Sequence, residues 1–414
     1  MSFRARAAAL VGGLFFATTS LAAVHQVTKT ADTDDGICDA DCSLREAIDE
    51  AVNSLTDDII TFAPSFYLAP TTITLGGSEI VISGPSTLEI EGPGESLLTI
   101  DGDNASRIFV VEADTKVSIR GMTLTRGNGA GAANSGRAGA FYNNGGVVLL
   151  ENIVFDRNTA NNAGALCTAN EGDTTVWNTL FIENTALTSS GGAIQNFSGA
   201  TLKVYNSTFF RNTSNSTTGG GGAQLNGTAV IANSTFSENH AQGGDGGGIS
   251  SNGPYLLLVN STFAYNRADD EAGGLHRRTT NPGGYLRNNI FANNQDVAGT
   301  PDVDANADIT SLGNNIVGSA TGTLSWLGSD LLDVDPLLMP LAFNGGDTPS
   351  HGLDSASPAI DAGQACVLVA NCASDNLGLM LTFDQRGTSR PTGSGVDIGA
   401  HEWTDPVLFS DGFE

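Results

Sequence analysis

A short motif, Asn-x-x-Phe-x-x-Asn, recurs six times and constrains the fold more than any other feature of this sequence. The phenylalanines are spaced by 26 to 28 residues, and an asparagine lies three positions before and three positions after each of them. They are Phe155, Phe181, Phe209, Phe236, Phe263 and Phe291. A repeat period in the twenties is typical of a solenoid, in which each repeat forms one turn and contacts its neighbours.

The alternation around each phenylalanine predicts short β-strands. The residue five positions before Phe is always apolar, whereas the residue four positions before it varies from Glu151 to Trp177 and Arg287. Such period-2 alternation is typical of strands, and the helical half of a leucine-rich repeat is missing. The sequence therefore predicts an all-β fold, a parallel β-helix whose turns stack about 4.8 Å apart.

Stacked turns explain why the motif recurs. The six phenylalanines should form a continuous stack in the interior. The two sets of asparagines should form two ladders at bends, because asparagine tolerates a left-handed backbone and can pass amide hydrogen bonds to the next turn. The sequons at Asn206, Asn233 and Asn260 are then incidental. Trp177 and Tyr205 share an outward column that could hold a sugar ring, although ordinary cross-strand packing is the simpler interpretation.

Residues 1–22 have the features of a secretory signal peptide, with Arg4, Arg6, an apolar stretch and small residues at the cleavage position. Cleavage there leaves 16 Lys+Arg against 45 Asp+Glu, a net charge of −29. So acidic a surface repels nucleic acid, and no other stretch approaches the ~20 apolar residues of a membrane span. We expect a secreted or cell-surface monomer with no nucleic-acid partner and no membrane span.

The segment 23–58 is expected to cap the N-terminal end of the coil. Ser43 and Glu46 form a capping box, and apolar residues follow at helical spacing, so a short amphipathic helix should begin here. A cover is needed because an open β-helix presents unpaired strand edges. Short, irregular strands follow from residue 59.

The five cysteines divide into two close pairs and one single residue. Cys38 lies near Cys42, and Cys366 lies near Cys372, so two short-loop disulfides are expected in an exported chain. Cys167 occupies a repeat position. We interpret it as a small buried residue, not a catalytic thiol.

Three motifs resemble known protein families. The stretch Cys42-Ser-Leu-Arg-Glu-Ala-Ile48 is similar to the N-terminal signature of CSLREA-domain proteins. The Phe-x-x-Asn repeats, with Gly-Gly-Ala-Ile at 191–194, resemble those of polymorphic outer-membrane proteins, and the motifs at 357–363 and 384–402 resemble the choice-of-anchor Q signature. These resemblances imply a right-handed β-helix on or outside a bacterial cell, and they bring no catalytic residues with them.

The resulting organisation is a β-helix at 59–403, with regular coils at about 119–318 and a closing segment at about 319–403. The tail at 404–414 is either a sorting tag or a frayed end. Eleven residues follow Trp403, so the translocating barrel that ends polymorphic outer-membrane proteins is not expected.

One acidic loop is a candidate calcium site. Oxygen donors stand at alternate positions, and the predicted ligands are Asp302, Asp304, Asn306 and Asp308. Calcium favours such carboxylate-rich loops, but Ala307 stands where an EF-hand needs glycine, so a polar surface loop is the alternative. The segment 32–36 is a weaker candidate of the same kind.

Two further clusters could carry acid–base chemistry. Near the C-terminus stand Asp361, Asp384, Arg386, Arg390, Asp397, His401 and Glu402. Glycoside cleavage needs two carboxylates at a set separation, whereas interleaved Asp and Arg favour a structural network. The basic run His276-Arg277-Arg278 could serve a lyase acting on a uronate, but we favour an exposed turn.

Two functions remain open from the sequence. The first is a non-catalytic binding or adhesion scaffold whose partner is a glycan or a cell-surface component. The second is a polysaccharide-degrading enzyme, a lyase or glycoside hydrolase that uses a lateral groove, and it rests on what other β-helices do. No cofactor other than calcium is implied.

Overall fold

Parallel strand pairing builds most of the molecule. The computed structural model describes residues 22–405 except 55, 131–135, 278–282, 298, 300–301, 306–308, 321–323, 370–371 and 373–379. Strands of successive turns pair in parallel and in register, so that Phe209 lies opposite Phe236. The predicted right-handed parallel β-helix is confirmed. Its nine-stranded sheet contains one strand from each of nine turns in the described part of the chain. The signal-peptide prediction concerns residues that lie, up to residue 21, outside the described part.

The strands of the described residues form four sheets. The twenty-stranded sheet contains Ala23–Val27, Asp58–Phe62, Thr71–Thr74, Thr87–Glu91, Leu98–Asp101, Lys116–Thr125, Val147–Asp156, Asp173–Trp177, Leu180–Ile182, Thr201–Tyr205, Thr208–Phe210, Thr228–Ala232, Thr235–Ser237, Tyr255–Val259, Thr262–Ala264, Gly284–Arg287, Ile290–Ala292, Ile309–Ser311, Ile316–Val317 and Leu331–Leu332. The nine-stranded sheet contains Ile80–Ile82, Phe109–Glu112, Phe141–Asn144, Leu166–Ala169, Ile194–Asn196, Ala223–Leu225, Ile249–Ser251, Leu275–Arg277 and Val303–Ala305. The five-stranded sheet contains Thr159–Ala160, Thr185–Ala186, Thr213–Ser214, His240–Ala241 and Arg267–Ala268. Leu338–Ala342 and Ser350–Leu353 form an antiparallel pair.

The six repeat phenylalanines form the predicted interior stack. All are fully buried, and neighbouring ring centroids lie 4.2 to 4.8 Å apart. The ring planes are within 13° of parallel. The parallel register forces this nearly face-to-face arrangement, since each ring must sit on the ring one turn below.

Only one of the two predicted asparagine ladders forms. It consists of the asparagines after Phe, and in it the backbone N–H and Nδ2 of Asn212 both donate to Oδ1 of Asn239, at 3.0 and 2.9 Å. Nδ2 of Asn239 also donates to the carbonyl oxygen of Phe209. The asparagines before Phe do adopt the expected left-handed backbone, with φ between 46° and 53°. Among the described asparagines before Phe, however, a side-chain hydrogen bond between neighbouring turns is found only from Nδ2 of Asn288 to Oδ1 of Asn260. These asparagines therefore form no continuous ladder.

A second ladder forms at a position that the sequence did not single out, two residues before Phe. The backbone N–H of Ser207 donates to Oγ of Ser234, and that of Ser234 donates to Oγ of Ser261, each at 3.2 Å. The ladder continues through Asn289. Its side chains are buried, so each bend has its polar backbone satisfied without water.

Helix α1 (Leu44–Asn53) caps the N-terminal end as predicted. Its capping box is formed, with the N–H of Glu46 donating to Oγ of Ser43 and the N–H of Ser43 donating to Oε2 of Glu46. The apolar face of the helix is buried in the same core as the first strands. A disulfide joins Cys38 to Cys42 directly before the helix. Two short 3₁₀ helices, Pro64–Tyr67 and Ala365–Leu368, complete the helical content of the described residues.

The closing segment lies across the outer side of the twenty-stranded sheet. Nε2 of Gln385 donates to Oγ1 of Thr208 at 2.8 Å, and Oγ1 of Thr235 donates to Oε1 of Gln385 at 2.6 Å. Nδ2 of Asn233 donates to the carbonyl oxygen of Phe383. These contacts join residues 150 to 177 positions apart, and they make this part of the sheet an interior surface.

The Phe stack yields a stability prediction. Phe236→Ala should lower the free energy of unfolding by about 3–5 kcal/mol, because it opens a cavity between two stacked rings. The matched control is Phe343→Ala, since the Phe343 side chain is 67% exposed and its loss should cost under about 0.5 kcal/mol. Equal shifts in the two denaturant midpoints would contradict the buried stack.

Candidate functional site on the lateral face

The nine-stranded sheet carries one outward column of side chains that changes character along the coil. We call it the lateral column; it consists of Val81, Val110, Tyr142, Cys167, Gln195, Gln224, Ser250, His276 and Asp304, which are paired turn by turn. The preceding residue of each strand, such as Leu275, points into the core. Because side chains alternate along a strand, the lateral column faces away from it. The column is apolar at its N-terminal end and polar or charged at its C-terminal end.

Glycine-rich loops lie directly over the middle of this column. Gln224, Ser250 and His276 are each at most 3% exposed although they point out of the coil. A Cβ on Gly220 would lie 1.9 Å from the carbonyl oxygen of Ala223, so no side chain fits there. The Gly-Gly runs are thus required by close contact between each loop and the strand that follows it.

Three ionisable side chains meet under these loops, and we call them the His276 cluster: Asp245, Glu271 and His276. Nδ1 of His276 lies 3.6 Å from Oδ2 of Asp245, and Nε2 lies 3.4 Å from Oε2 of Glu271. His276 is 3% exposed, whereas the Glu271 side chain is 31% exposed and opens the cluster to solvent. An imidazole between two carboxylates can exchange protons or bind a cation.

Backbone hydrogen bonds hold the two acidic loops in place. Asp245 and Glu271 lie one turn apart, and the N–H of Glu271 donates to Oδ1 of Asp245 at 3.2 Å. The N–H of Gly246 donates to the carbonyl oxygen of Glu271 at 2.8 Å. The carboxylates are therefore positioned by loop stacking, which the sequence analysis missed. The missed signal was an acidic residue in corresponding Gly-rich loops one period apart.

The interpretation of His276 and Arg277 as an exposed turn is wrong. Both side chains are buried, and they belong to the strand Leu275–Arg277. The guanidinium of Arg277 donates to Oγ of Ser251 at 2.8 Å and to the carbonyl oxygen of Gly253 at 3.0 Å. The glycine-rich loops cover His276, and Arg277 is buried by its contacts with Ser251 and Gly253 of the preceding turn. Arg278 lies outside the described residues.

A second feature of the lateral face is a cation held against aromatic rings. We call it the Arg137 patch: Arg137, Tyr142 and Phe197. The Arg137 guanidinium lies 4.4 Å from the centre of the Phe197 ring, and its NH1 donates to the Tyr142 hydroxyl at 3.0 Å. No carboxylate among the described residues lies within 4.0 Å of this guanidinium. Most of the other described arginines face an acid; Arg211, for instance, lies 2.8 Å from Glu238.

Cys167 is buried beside the Arg137 patch. It is fully inaccessible, and burial raises the pKa of its thiol to about 12. A thiol of this kind remains protonated and does not attack substrates at neutral pH. The interpretation of Cys167 as a small buried residue is confirmed by its burial.

The predicted calcium ligands fall into two groups. Asn306 and Asp308 lie outside the described residues, and Asp304 stands in the lateral column beside His276. Asp302 ends the asparagine ladder, because its Oδ1 accepts from both N and Nδ2 of Asn294 while its Oδ2 accepts from the N–H of Ser319. Burial raises the pKa of Asp302. Calcium binding at this loop stays a prediction.

The charged residues near the C-terminus form a buried network that fastens the closing segment. Arg390 NH1 lies 2.7 Å from Oε2 of Glu402, and Arg386 NH2 lies 2.8 Å from Oδ2 of Asp384. Glu402 and Asp384 are fully buried. Burial raises the pKa of Glu402 to about 7 against the opposing effect of Arg390, and burial lowers the pKa of His401 to about 3. Their inaccessibility supports the structural interpretation.

The same segment covers the predicted aromatic platform. Trp177 and Tyr205 do contact each other, with ring centroids 4.4 Å apart and planes tilted by 34°, but Tyr205 is only 5% exposed. Tyr205 packs in one apolar cluster with Val367, Leu381 and Val396 of the closing segment. A disulfide joins Cys366 and Cys372 in this segment. Tyr205 is therefore an interior side chain, and the half-buried Trp177 packs against the same cluster, which favours the alternative of ordinary packing.

Comparisons with known proteins identify no family. No protein-family model and no curated protein matches the chain. The crystal structure of pectate lyase Pel9A aligns with 94% of this chain and 98% of its own, at 17% sequence identity and a TM-score of 0.46. The residues that the structure describes contain no helix of the length and apolarity needed to traverse a lipid bilayer.

Two disulfides and one buried cysteine, Cys167, predict how many thiols of the protein react with a thiol reagent. The native protein should show no thiol that reacts with an aromatic disulfide reagent at pH 8, because the Cys167 thiol is inaccessible and protonated. Unfolding in guanidinium without reductant should release one reactive thiol, and Cys167→Ala should abolish it. A reactive thiol in the native protein would contradict this assignment.

Proposed function

We propose that this protein is a non-catalytic, extracellular binding scaffold, and that the Arg137 patch recognises a carboxylate on a glycan. The observation that carries the proposal is that Arg137 has no carboxylate partner among the described residues, on a chain whose net charge is −27. Burying or half-burying a cation beside rings when acids are abundant is unusual, and the guanidinium is the side chain best suited to bidentate carboxylate contacts.

The geometry of the Arg137 patch fits such a ligand. The guanidinium is held by the Phe197 ring and by the Tyr142 hydroxyl, so it is pre-oriented before a ligand arrives. The Tyr142 hydroxyl in turn donates to Oδ1 of Asn144 at 2.9 Å, and Nδ2 of the exposed Asn170 donates to the same oxygen at 2.5 Å. The Asn144 amide is fully engaged, because its Nδ2 also donates to Oε2 of Glu112 at 2.6 Å. The exposed Asn170 is therefore the amide that can meet sugar hydroxyls beside the cation.

The net charge limits the class of glycan. A dense polyanion would be repelled by the acidic surface over about a Debye length, ~8–10 Å at physiological salt. A single cation therefore suits a glycan in which carboxylates are isolated, such as a chain with occasional uronic acid residues. The resemblance of residues 42–48 to CSLREA-domain proteins and the signal-like residues 1–22 support an extracellular location, which belongs to the same proposal.

Binding to a glycan panel tests this function. Wild type should bind uronate-containing oligosaccharides in preference to their carboxyl-reduced counterparts, and Arg137→Ala should lose roughly 10- to 100-fold in affinity, as expected for a charge-assisted contact. The matched control is Arg211→Ala, because Arg211 also lies over an aromatic ring, Phe210, but is paired with Glu238. Unchanged binding by Arg137→Ala would overturn the proposal.

A polysaccharide-degrading enzyme is the second candidate, and the His276 cluster is the observation that favours it. A lyase needs a base that removes a proton next to a carboxylate, and His276 beside Glu271 could supply one. The glycans of the binding panel should be incubated with wild type and assayed for new reducing ends or unsaturated products. Release that His276→Ala abolishes would replace the scaffold function by the enzymatic one.

A further inference from the structure

We propose that the His276 cluster binds one divalent transition-metal ion, such as Zn²⁺ or Mn²⁺. The proposal is independent of the glycan-binding function, and it concerns the C-terminal half of the lateral face. Its basis is the convergence of one imidazole and two carboxylates from three segments of two successive turns.

The ligand atoms are close enough to share an ion. One nitrogen of His276 and one carboxylate oxygen from each of Asp245 and Glu271 lie within 4.8 Å of one another. Ligand atoms around tetrahedral zinc lie about 3.4 Å apart when the bonds are about 2.0–2.2 Å long. Nδ1 of His276 and Oδ2 of Asp245, 3.6 Å apart, already lie near this separation. Glu271 now faces Nε2, so its carboxylate must move toward Nδ1 by up to about 1.4 Å, and its 31% exposed side chain has room for this movement.

The donor set selects the class of metal. Calcium and magnesium take oxygen ligands, whereas imidazole nitrogen with carboxylate oxygen suits zinc, manganese and other first-row ions. Catalytic zinc sites commonly have three protein ligands and leave one position for water or substrate. The partly exposed side of Glu271 is where that position would lie in this cluster.

The surroundings fix two of the three ligands in advance. His276 is held in a strand that pairs on both sides, opposite Ser250 and Asp304. Asp245 is held by the N–H of Glu271. Such positioning by the next layer of contacts lowers the entropic cost of assembling a metal site. Because Asp245 and Glu271 belong to consecutive turns, a bound ion would also cross-link them.

The other grouping of this kind among the described residues is a poorer candidate. It contains His25, Cys38 and Glu50, but the sulfur of Cys38 is bonded to Cys42 at 2.01 Å and offers no thiolate. The cavity of about 390 Å³ near the predicted calcium loop is lined by Asp302, Asp333 and Asp335 without an imidazole. Of these groupings, the His276 cluster offers the combination of imidazole and carboxylate ligands that a transition-metal ion such as Zn²⁺ prefers.

Metal titration of the full chain tests the proposal. After treatment with a chelator and its removal, calorimetric titration with Zn²⁺ or Mn²⁺ should give one site per chain, and metal at 100 times Kd should raise the thermal midpoint. Glu271→Gln preserves the shape of the side chain but removes a charged ligand, so affinity should fall at least tenfold. His276→Ala should abolish the site. Calcium should not compete for it at equal concentration.

The matched controls are Asp269→Asn, an acid in the same loop, and Glu238→Gln, an exposed acid paired with Arg211. Both should bind metal like wild type. The proposal is overturned if wild type binds no metal, or if Glu271→Gln binds it as tightly as wild type. If His276→Ala does not fold, Glu271→Gln alone decides, because a single charge-neutral replacement on a partly exposed side chain leaves the strand pairing intact.

Discussion

The parallel, in-register pairing of successive turns is the constraint on which the rest of the structure depends. A turn of 26 to 28 residues must bring its backbone back to the same register, since each N–H donates to the turn next to it. Side chains at one position are then separated by one strand spacing, whatever their chemistry. Phenylalanine stacks, asparagine passes its amide hydrogen bonds along the coil, and serine receives the N–H of the preceding turn.

How much could be predicted from the sequence follows from this constraint. Columns that repeat in every turn, such as the phenylalanines, were predictable because stacking demands the same residue each time. One of the two predicted asparagine ladders was correct. Asn212 and Asn239 pass hydrogen bonds between turns, whereas the asparagines before Phe adopt the left-handed backbone that the bend requires. The serine ladder was missed because its position varies between threonine, serine and asparagine. Thr179 contributes only its backbone N–H, which donates to Oγ of Ser207, whereas serine and asparagine side-chain oxygens accept the N–H of the preceding turn.

The candidate functional residues were harder to predict because they do not repeat. His276, Asp245 and Glu271 meet through the closeness of glycine-rich loops to the sheet, and nothing in the local sequence of His276 indicates burial. The Arg137 patch likewise depends on Phe197, sixty residues away in the chain and held near it by turn stacking. By contrast, the C-terminal charged residues were interpreted correctly as a network, because each arginine had carboxylates nearby in sequence to neutralise it.

In the scaffold interpretation, a regular β-helix carries surface side chains that differ from one turn to the next. The interior columns fix the turns, the closing segment covers one face of the twenty-stranded sheet, and the lateral column carries residues that differ from turn to turn. A chain built this way can change its binding chemistry at one turn without disturbing the next, because energetic coupling in a solenoid is mainly between neighbours.

Double-mutant cycles on the phenylalanine stack test this nearest-neighbour account most directly. Phe209 and Phe236 lie on adjacent turns with ring centroids 4.2 Å apart, whereas Phe209 and Phe263 lie two turns apart with the Phe236 ring between them. With leucine replacements measured by denaturant unfolding, the adjacent pair should show a coupling energy of about 0.5–1.5 kcal/mol. The separated pair should be additive within about 0.5 kcal/mol. Equal coupling in both pairs, or none in the adjacent pair, would contradict the account.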